Sequence, residues 1–185
     1  MPFRASRRAA ALRGVACTAV TTFALSAHAA PPIKVTSQAA TDGPIRYTVK
    51  VSSSRYGNAQ QTRTLRSGET DDFTWRTTPP GGPVAAVAGC PGYASLPLDA
   101  NGAMVRQTQV RLAPIVAANG TANVQLSFRA QAPRGTRTVT SGGQSLKCPD
   151  VAEHSEVIRF TMPTTGTAKT VKLSDGTQLT ISALR

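Results

Sequence analysis

The chain reads as an all-β protein, a single antiparallel β-sandwich of immunoglobulin-like type behind a cleavable leader. Three observations predict it. Apolar and polar residues alternate with period two in many short runs, which Gly, Pro, Asn and Asp separate. No amphipathic helix of useful length occurs. Two cysteines, Cys90 and Cys148, remain once the leader is set aside, and an even pair in a small exported domain is most simply a disulfide.

Residues 1–29 have the three parts that membrane translocation needs. Arg4, Arg7, Arg8 and Arg13 form a charged start, Gly14–Leu25 is mildly apolar, and Ala27, His28 and Ala29 supply the small-residue cut pattern, with Ala30 as the first mature residue. The apolar run is broken by Thr18, Thr21 and Thr22 and is too short for a bilayer core of roughly 30 Å, so removal is expected rather than anchoring. Arg7 and Arg8 are followed by Ala9–Ala11 rather than large apolar residues, so an ordinary charged region is favoured over a twin-arginine signal. Cys17 is read as part of the apolar core, not as a lipid-attachment site.

The domain is expected over residues 30–185. A first weak strand is expected near Ile33–Thr36. Ile45, Tyr47, Val49 and Val51 then share one face, with Arg46, Thr48, Lys50 and Ser52 on the other, which gives a half-buried strand. Thr62–Arg66 and Asp72–Arg76 are weaker strands around a turn at Ser67–Gly68, placing Phe73 and Trp75 inward. From Thr77 to Gly102 the alternation collapses into proline and glycine, and Cys90 is expected to pin this long loop to Cys148. Tyr93, Leu96 and Leu98 make that loop the first place to seek a ligand. Asn119–Gly120 joins Met104–Ala117 to Thr121–Ala130, and Asp175–Gly176 joins Val171–Leu173 to Leu179–Ile181, both as hairpins. Thr136–Thr140 is a further weak strand, Asp150–Glu156 a solvated charged connection, and Ile158, Phe160 and Met162 the inward side of another strand.

Little catalytic chemistry is present. The full chain carries 21 Lys plus Arg against nine Asp plus Glu, a net charge of +12. Removing the leader leaves 17 basic against nine acidic residues, so the mature domain stays basic at +8. After the leader, His154 is the one histidine, and it lacks the nucleophile-elbow context of a serine hydrolase. One imidazole and two oxidised cysteines do not make a zinc or copper site. Asp150, Glu153, His154 and Glu156 have the donor types for a hard cation but match no loop spacing, and Asp71 and Asp72 are alike in this; no cofactor and no metal are expected. Trp75 is the only tryptophan, which argues against aromatic platforms for nucleic acid.

The basic surface is the remaining signal. Arg46, Lys50, Arg129, Arg159 and Lys172 are all expected on outward strand positions, where one sheet would present several of them to an anionic surface. The expected partner is an anionic envelope polysaccharide, lipopolysaccharide or an acidic protein, not nucleic acid; no transmembrane anchor is expected after the leader, and oligomeric state is left open.

TRTLRSGETDDFTW at Thr62–Trp75, with CPGYASLPLDANGAMVRQTQVRLAP at Cys90–Pro114, resembles small exported proteins of unknown function from Gram-negative proteobacteria. The resemblance implies a secreted or periplasmic β domain and no active residue. VRLAPIVAANGTANVQLSF at Val110–Phe128 and KTVKLSDGTQLTISAL at Lys169–Leu184 are similar to β-hairpins of secretin channel subunits, although the chain lacks secretin length. Likeness at that level carries no function. The expected role is therefore a non-enzymatic binding protein. The alternatives are a structural subunit of a surface assembly, pilus-like or secretin-associated, and an enzyme that uses His154.

Overall fold

The computed structural model describes residues 43–185, so the leader expected at residues 1–29 and the strand expected at Ile33–Thr36 lie outside the described residues. Ten strands follow in chain order: β1 (Ile45–Ser52), β2 (Ala59–Leu65), β3 (Asp71–Thr77), β4 (Val84–Ala85), β5 (Ala103–Met104), β6 (Arg106–Val116), β7 (Thr121–Ser141), β8 (Gln144–Pro163), β9 (Lys169–Lys172) and β10 (Gln178–Leu184). They form two four-stranded antiparallel sheets, β2-β1-β10-β9 and β3-β6-β7-β8, and a two-stranded ribbon, β4-β5. The all-β antiparallel class and the disulfide-pinned loop are what the structure shows.

Short hairpins set part of the strand order, and pairing of distant segments sets the rest. In the second sheet every strand lies beside the next large strand in the chain, a plain meander. The first sheet consists of the hairpins β1-β2 and β9-β10, joined by pairing of the first and last strands over Arg46–Leu184 to Ser52–Gln178. The connections β2 to β3 and β8 to β9 pass from one sheet to the other.

Period-two alternation becomes the core directly. Ile45, Tyr47, Val49 and Val51 of β1 and Leu179, Ile181 and Ala183 of β10 face Phe73, Val110, Leu112, Leu126 and Phe128 of the other sheet in one buried cluster. Burying such side chains contributes about 1.5–3 kcal/mol each, which makes this layer the main source of stability. Trp75 packs against the cluster partly buried, with its ring 6.2 Å from that of Phe73. Tyr56, from the β1-β2 turn, meets Phe128 edge-on at 6.2 Å.

The Asn119–Gly120 and Asp175–Gly176 hairpins are present. In each, a backbone pair spans a three-residue loop, Ala117 to Thr121 and Leu173 to Thr177, and the glycine takes the positive φ, 79° and 87°. A side chain there would meet the left-handed penalty.

The largest departure from expectation lies between residues 131 and 157. Thr136–Thr140 is not a separate strand but the outer end of β7, and Asp150–Glu156 is not a connection but the middle of β8. The two long strands stay paired past the sandwich to a tight turn at Gly142–Gly143, both at positive φ. A bulge interrupts them between Pro133 and Thr136, where Arg134 and Gly135 together face Asp150. Polar composition hid this ribbon, because the buried residues on it, Cys148 and Pro149 beside half-buried Leu146, are covered by the distant Cys90 loop and make no apolar alternation.

Cys90 and Cys148 are bonded, with Cα atoms 5.6 Å apart, so the Thr77–Gly102 loop is fastened to the ribbon. The loop is ordered by its own contacts. Asp99 Oδ1 accepts from the Asn101 and Ala103 amides at 2.9 Å each, and Met104 is fully buried.

Candidate functional site

In a two-layer sandwich each sheet has one outer face, and the register of the strands decides which charges share it. Arg46, Lys50 and Lys172 lie on the outer face of the β2-β1-β10-β9 sheet. Arg129 and Arg159 lie on the outer face of the opposite sheet. The five basic residues therefore do not form one patch. They divide three and two across opposite sides of the molecule, because the strands that carry them belong to different layers.

The first face has an unusual composition. β1 contributes Arg46, Thr48, Lys50 and Ser52 outward; β2 contributes Gln60, Thr62 and Thr64; β10 contributes Gln178, Thr180, Ser182 and Leu184; β9 contributes Thr170 and Lys172. No aspartate or glutamate occurs among these outward positions. Hydroxyls pair across strands, Thr48 Oγ1 with Thr62 Oγ1 at 2.8 Å and Thr170 Oγ1 with Thr180 Oγ1 at 3.2 Å, which fixes their rotamers. Arg46, Lys50 and Lys172 are exposed, and among the described residues none has an ion-pair or hydrogen-bond partner. Four residues along β1 separate Arg46 from Lys50 by roughly 13 Å, and Lys172 stands two strands over, one residue pair further on. The result is a flat, hydroxyl-lined surface with spaced, uncompensated cations.

The opposite face is charge-mixed. Arg111 and Asp72 form a two-pronged pair at 2.9 and 2.8 Å, and the Arg111 guanidinium holds the Asp72 carboxyl below its ordinary pKa. Arg159 donates to Gln125 and Arg76 to Gln107. Arg129 lines a cleft of about 290 Å³ with Gln107, Gln109, Gln131 and Glu153, roofed by Ser95 of the long loop. Loop and basic residue thus meet here, but Tyr93 does not line the cleft. It sits in a single 3₁₀ turn, Tyr93–Ser95, with its hydroxyl directed at Gly102, where it packs the loop on itself.

His154 lies on the half-buried side of β8, its ring 6.0 Å from that of Phe128. Its Nε2 is 3.1 Å from Glu156 Oε2, and the same oxygen accepts from the Ser174 amide at 3.0 Å and the Ser174 hydroxyl at 2.7 Å. The order is serine, carboxylate, imidazole. With the carboxylate in the middle, the imidazole does not touch the hydroxyl, so the serine–imidazole contact of a hydrolase triad is missing, and the arrangement clamps β8 to the β9-β10 turn. The Ser174 amide, then its hydroxyl, hold the Glu156 carboxyl below its ordinary pKa. Glu153 points to the other side of β8, and Asp150 pairs with Arg134 at 2.8 Å, so the acidic residues of this stretch do not converge. Among the described residues no three His, Cys, Asp or Glu side chains are grouped to hold a metal ion, and no helix is long and apolar enough to cross a membrane.

A protein-family model, that of a family of unknown function, matches residues 1–185. No curated protein and no solved structure matches the chain.

Proposed function

The chain belongs to DUF6013, a family of unknown function, and from that premise we propose that it is an exported, non-enzymatic binding protein that holds a polyanion of the cell envelope on the outer face of its β2-β1-β10-β9 sheet. The observation that carries this reading is that, among the described residues, no carboxylate side chain shares the face with Arg46, Lys50 and Lys172, and none of the three has a partner. Charges at such spacing suit an extended anionic polymer, a polysaccharide or the sugar-phosphate region of lipopolysaccharide, better than one compact anion. The threonine and serine hydroxyls between them are both donors and acceptors for its neutral groups. Export to the periplasm or exterior of a Gram-negative bacterium is part of the reading; the Cys90–Cys148 disulfide supports it, since such bonds persist in oxidising compartments.

Retention of the oxidised protein on an immobilised carboxylated polysaccharide tests the reading. The wild type is expected to elute at a salt concentration that falls sharply in the triple variant Arg46→Glu, Lys50→Glu, Lys172→Glu, while Arg129→Glu with Arg159→Glu changes it far less. Equal loss in both variants would reduce the effect to net charge and remove the assigned face.

A second reading, the structural subunit of a surface assembly, has one observation in its favour. β8 is a 20-residue edge strand whose outer side pairs with no strand among the described residues. Lys147, Asp150, Glu153, Glu156 and Arg159 along it are the charged residues that blunt edge-to-edge addition, which ranks this reading second. Concentration-dependent growth in sedimentation velocity would reverse the order.

A further inference from the structure

We propose that the cleft between the Pro79–Pro83 turn and the β7 bulge is a second binding site, for a compact oxyanion of phosphate or sulfate type. It lies at the ribbon end of the sandwich and encloses about 420 Å³. Its lining is proline, glycine and Val84, apart from three guanidinium groups, those of Arg55, Arg106 and Arg134. No carboxylate among the described residues lines it.

Each arginine is placed by a separate device. Arg106 opens β6, and its Nη2 donates to the Thr78 carbonyl at 2.9 Å. Its Nη1 lies against Gly57, where a Cβ would stand only 3.3 Å away, and Gly57 has φ +90°, so the turn keeps a residue without a side chain where the guanidinium packs. Its Nε is buried with no partner among the described residues, while the rest of the side chain is only half-buried. No carboxylate among the described residues pairs with this guanidinium, and an anion in the cleft supplies the missing countercharge. Arg134 enters the cleft at the bulge, where two residues of β7 oppose one of β8, and is held by Asp150 at 2.8 Å. Among the described residues, Asp150 is thus the one carboxylate paired with these arginines. Arg55 projects from the β1-β2 turn beside the Tyr56 phenol. Two cations therefore remain in surplus over one small volume with apolar walls.

A planar fork of N–H donors matches the oxygens of a tetrahedral oxyanion, and several forks on one volume select a compact, multiply charged group over a chloride-like point charge. The volume exceeds that of the oxyanion alone, which leaves the Pro79–Pro83 surface for the moiety that carries it. This site is separate from the sheet face and independent of the polyanion reading.

Amide spectra of the oxidised, isotope-labelled protein provide the test, titrated at constant ionic strength with sodium phosphate, sodium sulfate, glycerol phosphate and sodium chloride. Phosphate and sulfate are expected to shift Gly57, Gly81, Gly82 and Gly135 saturably, and chloride not at all. Arg106→Gln and Arg55→Gln are each expected to weaken binding about tenfold, the scale of one lost charge-assisted hydrogen bond, and Arg46→Glu with Lys50→Glu to leave it unchanged. Tighter binding of glycerol phosphate than of free phosphate marks the natural ligand as a phosphate ester; equal binding marks the free ion. Shifts matched by chloride, or binding unaltered in Arg55→Gln, whose turn is exposed, overturn the proposal even if Arg106→Gln fails to fold.

Discussion

Tyr47 is fully buried in β1, and its hydroxyl has no hydrogen-bond partner among the described residues. Burial pushes its pKa up to about 12 from 10.0, against a smaller lowering by the Arg185 charge. A buried hydroxyl without a partner costs about 1–3 kcal/mol, and removing it leaves the packed ring in place. Tyr47→Phe is therefore expected to hold or raise stability, by up to about 1 kcal/mol in urea unfolding; a loss larger than that would mean the hydroxyl is satisfied. The same residue sets an alkaline limit. A folded pKa above the unfolded one contributes stability that is fully present below pH 10.0 and is lost as pH rises through about 12. Tyr47→Phe is expected to weaken that alkaline loss. At this scale the sequence was legible where a side chain has one neighbour type: Tyr47 reads as core from its place in the alternation. The partnerless state of its hydroxyl was not legible, because it depends on atoms from another layer.

Elements hold together across the open sides of the sandwich through polar clamps. On one side Arg63 reaches Asp71 at 2.8 Å and lies over the Phe73 ring at 5.4 Å. On the other, Glu156 of β8 gathers Ser174 and His154, while Thr177 Oγ1, which donates to Asp175 Oδ2, accepts from Ser53 Oγ at 3.0 Å and ties two turns together. A carboxyl whose pKa is lowered by folding contributes stability above its unfolded value, ordinarily 4.5, that is lost as pH falls through the depressed value. Glu156→Gln is accordingly expected to flatten the acid limb of a stability-against-pH curve below about pH 5 and to lower stability at pH 7. An unchanged acid limb would show that the clamp is open in solution. The sequence pointed to Glu156 and His154 but placed them in a connection. Strand β8 is wet on its outer face and only half-buried on its inner one over this stretch, so its period-two signal is weak.

For the molecule as a whole, the Cys90–Cys148 bond closes a separation of 58 residues, worth roughly 4 kcal/mol in the chain-entropy account. Both cysteines lie outside the main buried cluster. Reduction, or Cys90→Ser with Cys148→Ser, is therefore expected to expose the Thr77–Gly102 loop to proteases and to lower the global midpoint. The sandwich strands are expected to keep their amide protection. Loss of protection throughout would make the bond part of the fold's foundation rather than a staple on its end. What the sequence determined by itself was everything that local alternation and turn chemistry encode: the all-β class, the strands from Ile45 to Ser52 and Thr121 to Ala130, the two glycine-closed hairpins and the cysteine pairing. The class, the strands and the hairpins depend on a residue and its near neighbours in the chain, while the pairing of Cys90 with Cys148 follows from their being the two cysteines left after the leader. Only the tertiary structure decided which outward residues share a face. Arg46, Lys50 and Lys172 meet on one side and Arg129 and Arg159 on the other, because strand order assigns β1 and β9 to one layer and β7 and β8 to the opposite one. That order follows from connections and pairings between distant segments, which leave no mark in the local pattern of any one of them.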